Sequence, residues 1–316
     1  MKEIGGYFEL ELSYGEEYHK SALRLNTGRN AFEYILRAKC YKKVFLPFYT
    51  CDSVLEPINK CGLEYEFYKI DNSFRPIFDF ETMRAQEVFV YTNYFGIFDN
   101  NVLDATKRAR NIIIDDAQAF YAKPLPGIDT FYSPRKFFGI PDGAYLYTNA
   151  GIHYELETDV SYERFEHLLG RIDKRGDEFY SAFKNNEKVL GNQPLKKMSN
   201  ITQRMLSGID YKFAAEKRKQ NFRYLHEALH KTNQLPLELD NSFVPMVYPY
   251  LTENAEELKR KLINRKIYVA TYWPNVIDWT KPESFEYYLV ANLIAVPIDQ
   301  RYRVEDMNEV INIIKN

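Results

Sequence analysis

The chain has 316 residues, of which 45% are hydrophobic and 27% charged, enough for one large domain or a large one with a smaller companion. Its formal net charge of -2 gives no electrostatic argument for nucleic acid or an anionic membrane, and no stretch approaches a membrane span. The N-terminal "MKEIGGYFELELSYGEEY" lacks the apolar run of a secretory signal, so a cytoplasmic protein is expected.

Cys40, Cys51 and Cys61 have neither zinc nor disulfide spacing and fit a reducing compartment. Tyr (26) and Phe (22) are abundant, supplying core and pocket walls with a polar rim.

In chain order, residues 27–42 carry Phe32, Ile35, Leu36 and Cys40 at helical spacing, with Thr27 as a cap. An apolar strand follows at 44–48. A helix over 52–62 stops at Gly62. Strand-like runs occupy 64–68, 87–95, 111–116 and 144–149. Strands alternating with helices at this spacing predict a largely parallel sheet covered on both faces.

Beyond about residue 150 the segments are charged and helical. Residues 185–200 read as a link, followed by one long helix over 201–229. The end reads as a small α/β unit: an apolar run at 243–251, a helix at 254–266, a strand at 267–273 and a closing helix at 304–316. A large domain over 1–200 and a linking helix with a small domain over 201–316 are therefore expected. His226 and His230 in "HEALH" match a zinc-protease helix formally. No histidine follows His230 to complete the set, so an amphipathic helix end is favoured and no metal is expected.

Four features fall at strand ends or helix starts, where open α/β sheets bind ligands. In "LNTGRNA" (25–31), Thr27 and Gly28 precede a helix whose exposed N–H groups suit phosphate, and Arg29 adds charge. It also reads as an ordinary helix start. In "NIIIDDAQAF", Asp115 and Asp116 end an apolar strand with Gln118 close behind. A carboxylate there needs a cation or donor, or else serves as a helix cap. Lys136, in "FYSPRKFFGIPDG" (131–143), is either a surface charge on an apolar stem or an amine desolvated among aromatics beside Arg135. The second environment favours the neutral, nucleophilic form. In "VYTNYFG", Asn93 and Tyr94 end a strand near the same edge.

Taken in this order, the motifs resemble the DegT/DnrJ/StrS group of sugar aminotransferases, which are fold-type-I pyridoxal-phosphate enzymes. "LNTGRNA" resembles the group's phosphate-side turn, "VFLPFYTCDSVL" its P-x-x-T strand end, and "YTNYFG" its H-x-x-G segment with Asn93 at the histidine. "IDDAQA" is similar to E-D-A-A-Q-A, "FYSPRK" to S-F-x-x-x-K, and "VPIDQRY" to the closing L-P segment.

The resemblance implies an aminotransferase-like α/β fold, pyridoxal 5'-phosphate as cofactor, and a keto-sugar substrate, nucleotide-linked, in surface-polysaccharide or related biosynthesis. It implies an amino donor and a homodimer with the site between subunits. Lys136 then bonds the cofactor and shuttles the proton, Asp115 partners the pyridine nitrogen, and Gln118 neighbours the ring hydroxyl. Thr27, Gly28, Arg29 and Ser133 would hold the phosphate, with Tyr49 and Asn93 beside the ring.

Three departures accompany it. Phe131 stands at the position of a phosphate-binding serine, and Cys51 at that of the stacking aromatic. The N-Y-R segment that reaches a neighbouring subunit's cofactor is not found. Two other functions compete: dehydration of a sugar, in which histidine replaces the lysine, and a non-catalytic relative that binds a sugar nucleotide or a protein.

Overall fold

The computed structural model describes residues 4–237 and 242–316. The first part runs β1 (Leu23–Leu25), α1 (Gly28–Lys39), β2 (Lys43–Pro47), α2 (Leu55–Lys60), β3 (Glu64–Ile70), β4 (Pro76–Ile77), β5 (Glu87–Thr92), α3 (Asp99–Arg108), β6 (Ile112–Asp116), β7 (Asp129–Tyr132) and β8 (Ala144–Tyr147). There follow α4 (Glu166–Asp173), α5 (Tyr180–Val189), α6 (Asn200–Ser207), α7 (Tyr211–Leu229), β9 (Val247–Leu251), α8 (Ala255–Asn264), α9 (Val276–Trp279), α10 (Phe285–Asn292), β10 (Leu293–Pro297) and α11 (Val304–Lys315).

Eight strands form one sheet in the order β1-β8-β7-β6-β5-β2-β3-β4. Strands β7, β6, β5, β2 and β3 are parallel, whereas β8 runs antiparallel to β7 and β1, and β4 antiparallel to β3. All five residues of β6 are buried, as expected where both faces of a parallel sheet are covered.

The two faces differ in texture. On one, α1 lays Phe32 and Ile35 over the aliphatic layer of Val44, Val88, Val90, Ile113 and Leu146. The other is aromatic, with Phe45, Phe89, Tyr91, Tyr132 and Tyr145 meeting residues of α3, α6, α7 and α10. A third core joins α7, α8 and α11 to the antiparallel pair β9–β10.

The predicted mainly parallel sheet with helices on both faces is present, and several boundaries differ. The single helix expected over 201–229 is two. Gly208 closes α6, and the Asp210 carboxylate caps α7 by accepting the Phe213 amide at 2.9 Å. Residues 185–189 belong to α5 rather than to a link.

The strand expected over 267–273 is absent. Lys266 and Trp273 take positive φ at its two ends, leaving one bridge between Ala270 and Ala295. The strand expected over 87–95 stops at Thr92, because Phe95 and Gly96 turn the chain with positive φ. The helix expected over 52–62 begins as a short 3₁₀ turn before α2.

Candidate active site

Parallel pairing sets the site. Thr92 on β5, Asp115 on β6 and Phe131 on β7 lie in register at the carboxyl ends of their strands. Alternation then sends Asp115 to the α1 face, with Ile113, and Asp116 to the aromatic face beside its register partner Tyr132.

The Asp115 carboxylate is buried. One oxygen accepts the Ala117 amide at 2.9 Å. Burial raises its affinity for a proton above the ordinary carboxylate range, opposed by the charge of Lys136 and by the Ala117 amide. The turn that carries Lys136 follows β7, the strand paired with β6, so it lies beside the Asp115 end of the sheet.

Lys136 ends a one-turn 3₁₀ helix, Pro134–Lys136, that follows β7; its amide donates to the Ser133 carbonyl at 3.2 Å. The expectation of an amine desolvated among aromatics is corrected here. Lys136 is exposed, and it is Phe137 and Phe138 that turn inward. The turn is fixed from behind. The Phe137 carbonyl accepts Gln300 Nε2 at 3.1 Å and Arg218 Nη2 at 3.3 Å, and the buried Arg218 guanidinium covers the Phe137 ring. An exposed amine on a clamped backbone can reach a ligand without moving the chain.

Gln118 is almost fully buried. Its Oε1 accepts the Phe95 amide at 2.8 Å, while its Nε2 is buried without an acceptor. β1 runs parallel to β7, so the turn after it lies at the same carboxyl edge, where Thr27 caps α1 by accepting the Asn30 amide at 3.1 Å. Gly28 begins the helix, and a Cβ placed there would meet nothing within 4 Å. The amides of Gly28 and Arg29, in the first turn of α1, have no acceptor within the helix.

Three predicted residues are engaged elsewhere. Arg29 donates to the Leu190 carbonyl at 3.1 Å and pairs with Glu56 at 3.4 Å. Asn93 Nδ2 bridges two carboxylates, Asp99 at 2.7 Å and Asp116 at 3.0 Å. Tyr49 is fully buried edge-on against Trp273, with ring centroids 4.6 Å apart, and its hydroxyl has no hydrogen-bond partner. Ser133 is buried as the residue before the Lys136 turn. His226 packs parallel to Phe222, and His230 accompanies it at the end of α7.

Sequence reasoning missed three contributors. Thr92 and its unpartnered buried hydroxyl share the Asp115 face. Arg218 and Gln300 come from remote segments, and no local pattern marks either. Arg135 was noted only as a neighbour, yet it is largely buried and paired with Glu187 of α5.

A mostly parallel eight-stranded sheet with helices on both faces is the fold-type-I aminotransferase-like fold. Solved structures share it. A DegT DnrJ EryC1 StrS aminotransferase from Brucella abortus superposes with TM-score 0.62 at 17% identity, covering 93% of this chain and 85% of that one. The sugar aminotransferase CalS13 from Micromonospora echinospora gives 0.62 at 14% identity, over 94% and 87%. A candidate sugar aminotransferase from Streptococcus pneumoniae, in its PLP form, gives 0.62 at 14%, over 92% and 85%. No protein-family model and no curated protein sequence matches the chain.

Proposed function

We propose that this protein is a pyridoxal-phosphate-dependent aminotransferase acting on a keto-sugar carried by a nucleotide, in surface-polysaccharide or related sugar biosynthesis. The observation that carries the reading is the buried Asp115 carboxylate at the end of β6, with the Lys136 turn directly after its paired strand β7. Likeness to solved sugar aminotransferases supports the class of reaction and substrate.

The residues present fit the cofactor. The space above Gly28 at the start of α1 suits a phosphate, and the orphaned Gln118 Nε2 suits a ring oxygen. Asp115 suits a protonated ring nitrogen. When bound, the cofactor supplies an aldehyde for amine exchange and an electron-accepting ring.

The chain's own groups do the rest. Lys136 Nζ would hold the cofactor and, once released by the amino donor, would take up the donor's α-proton and return it as general base and then general acid. The Asp115 carboxylate holds a proton at the ring nitrogen. Gln118 orients the ring oxygen, and Thr27 with the amides of Gly28 and Arg29 anchors the phosphate. Ser133 and Asn93 support these groups from behind.

A homodimer is part of the proposal. Leu169, Ile172 and Phe183 of α4 and α5 are exposed, as are Tyr7 and Phe8 near the N-terminus, and such patches support an interface. A division near residue 200 is supported by the separate core around α7, β9 and β10. Among the described residues no helix is long and apolar enough to cross a membrane.

The test is spectroscopic and then catalytic. Protein mixed with pyridoxal phosphate and dialysed should keep a visible absorbance band that Lys136→Ala lacks. With an amino donor and a nucleotide-linked keto-sugar it should release the donor's keto acid. Wild-type protein that stays colourless contradicts the reading, and release of water in place of amine transfer points to the dehydratase chemistry.

A further inference from the structure

Phe131 leaves the phosphate subsite without a hydroxyl at that position. Its ring is 4% exposed and stacks on Phe32 of α1, with centroids 5.8 Å apart, so nothing polar is offered there. Charge collects close by instead. Arg29, in the first turn of the 12-residue α1, reaches the Leu190 carbonyl just past the end of α5. Arg135, inside the Lys136 turn, meets Glu187 one helical turn earlier on α5. Both guanidiniums therefore converge on one end of α5, beside the start of α1.

Their present partners satisfy them only in part. Arg135 Nε is buried without an acceptor, and so is Nδ2 of the fully buried Asn26, immediately before the Thr27 cap. Burial, with the neighbouring charges of Arg29 and Arg164, lowers the proton affinity of Arg135 to about 10, against the pull of Asp142. Each guanidinium thus has a carboxylate partner, Glu56 for Arg29 and Glu187 for Arg135, while Arg135 Nε has none. Glu187 and Glu56 stand where a more strongly accepting anion would be held better.

Resting on the cofactor reading above, we infer that Arg135, together with Arg29, is the phosphate clamp of this site and replaces the hydroxyl that Phe131 cannot supply. Two guanidiniums match a phosphate monoester, which carries about -1.5 to -2 charge at neutral pH, and each offers a planar fork to its oxygens. On binding, Arg135 exchanges Glu187 for the phosphate, and Glu187, partly exposed, returns to water. Because Arg135 immediately precedes Lys136, the same short turn would set both the phosphate and the covalent end of the ligand.

The experiment compares pyridoxal phosphate with pyridoxal, which has the same aldehyde and ring but no phosphate. Binding of each is titrated through the absorbance of the lysine-bound chromophore, in wild type, Arg135→Gln and Glu187→Gln. The readout is the ratio of the two affinities. Arg135→Gln should lower the ratio about 10- to 100-fold, the usual effect of losing a charge-assisted hydrogen bond. Glu187→Gln should raise it by freeing the guanidinium. An unchanged ratio overturns the inference, whether both ligands bind as in wild type or both bind more weakly by the same factor. If Arg135→Gln does not fold, Glu187→Gln decides alone: a raised ratio supports the clamp, and an unchanged or lowered one overturns it. Wild-type protein that forms no chromophore with either ligand overturns the cofactor reading itself, a different failure from a chromophore whose ratio ignores Arg135.

Discussion

Asp115 and Phe131 are direct cross-strand partners in the parallel pair β6–β7, so a buried carboxylate and a buried aromatic ring share one face of the sheet under α1. The ring holds α1 to the sheet through Phe32, while the carboxylate lies at the open strand end. Restoring a serine at this position should therefore damage the fold before it helps the site. Phe131→Ser is expected to cost about 3–5 kcal/mol of stability, as for other large-to-small core replacements, measured by urea denaturation. A loss under about 1 kcal/mol would mean that the ring does not carry this packing.

Gly96 adopts a φ of +69°, and a Cβ there would lie 2.9 Å from the Gln118 carbonyl oxygen. Only glycine lets the turn after β5 pass so close to the Gln118 segment. Gly96→Ala should destabilise the protein by about 1–3 kcal/mol and weaken pyridoxal phosphate binding with it. Thermal melting with and without ligand checks both, and unchanged curves would refute the close approach.

The ionised form of Asp115 opposes folding. Its carboxyl binds a proton more tightly in the folded chain than at the ordinary value of 3.8. Its contribution is therefore whole below that value and declines as pH rises through the raised one. At neutral pH, Asp115→Asn should raise the melting temperature of the ligand-free protein and flatten the decline above pH 4, while abolishing transamination. A lower melting temperature would show that Lys136 and the Ala117 amide outweigh the burial.

His19 gives the opposite slope. Its ring is buried against Tyr132, with Nε2 at 2.7 Å from the Phe120 carbonyl, and burial lowers its proton affinity from 6.5 to about 4. The unfolded chain takes up a proton that the folded chain refuses, so stability falls as pH drops from 6.5 toward 4, by at most about 1.4 kcal/mol per pH unit. His19→Gln should make that acid limb shallower. An identical limb would assign it to other groups.

The sheet was legible because its strands are short apolar runs with few alternatives, as in "NIIIDD" and "VFLPF". The ends of elements were less so. The break at Gly208 sits inside a pattern that stays helical on both sides, and only the cap by Asp210 stops it. The segment 267–273 has strand composition but is turned by positive φ at both ends. Asp115 near the end of β6, Gln118 just past it and Lys136 just past β7 stand near strand ends, as their motifs led one to expect. The exposure of Lys136 could not be read, since it depends on how Gln300 and Arg218, far along the chain, hold the Phe137 carbonyl. Tyr49 shows the same limit: its place against Trp273 is set by a segment more than two hundred residues away.

The attachment itself is the most direct test of the account. Protein loaded with pyridoxal phosphate is reduced with borohydride, digested and mapped by mass spectrometry. The modification is expected on the peptide containing Lys136 and on no other lysine, at one per chain, and Asp115→Asn should retain the site while losing turnover. A modification spread over surface lysines, or found on a different single lysine, would contradict the central claim.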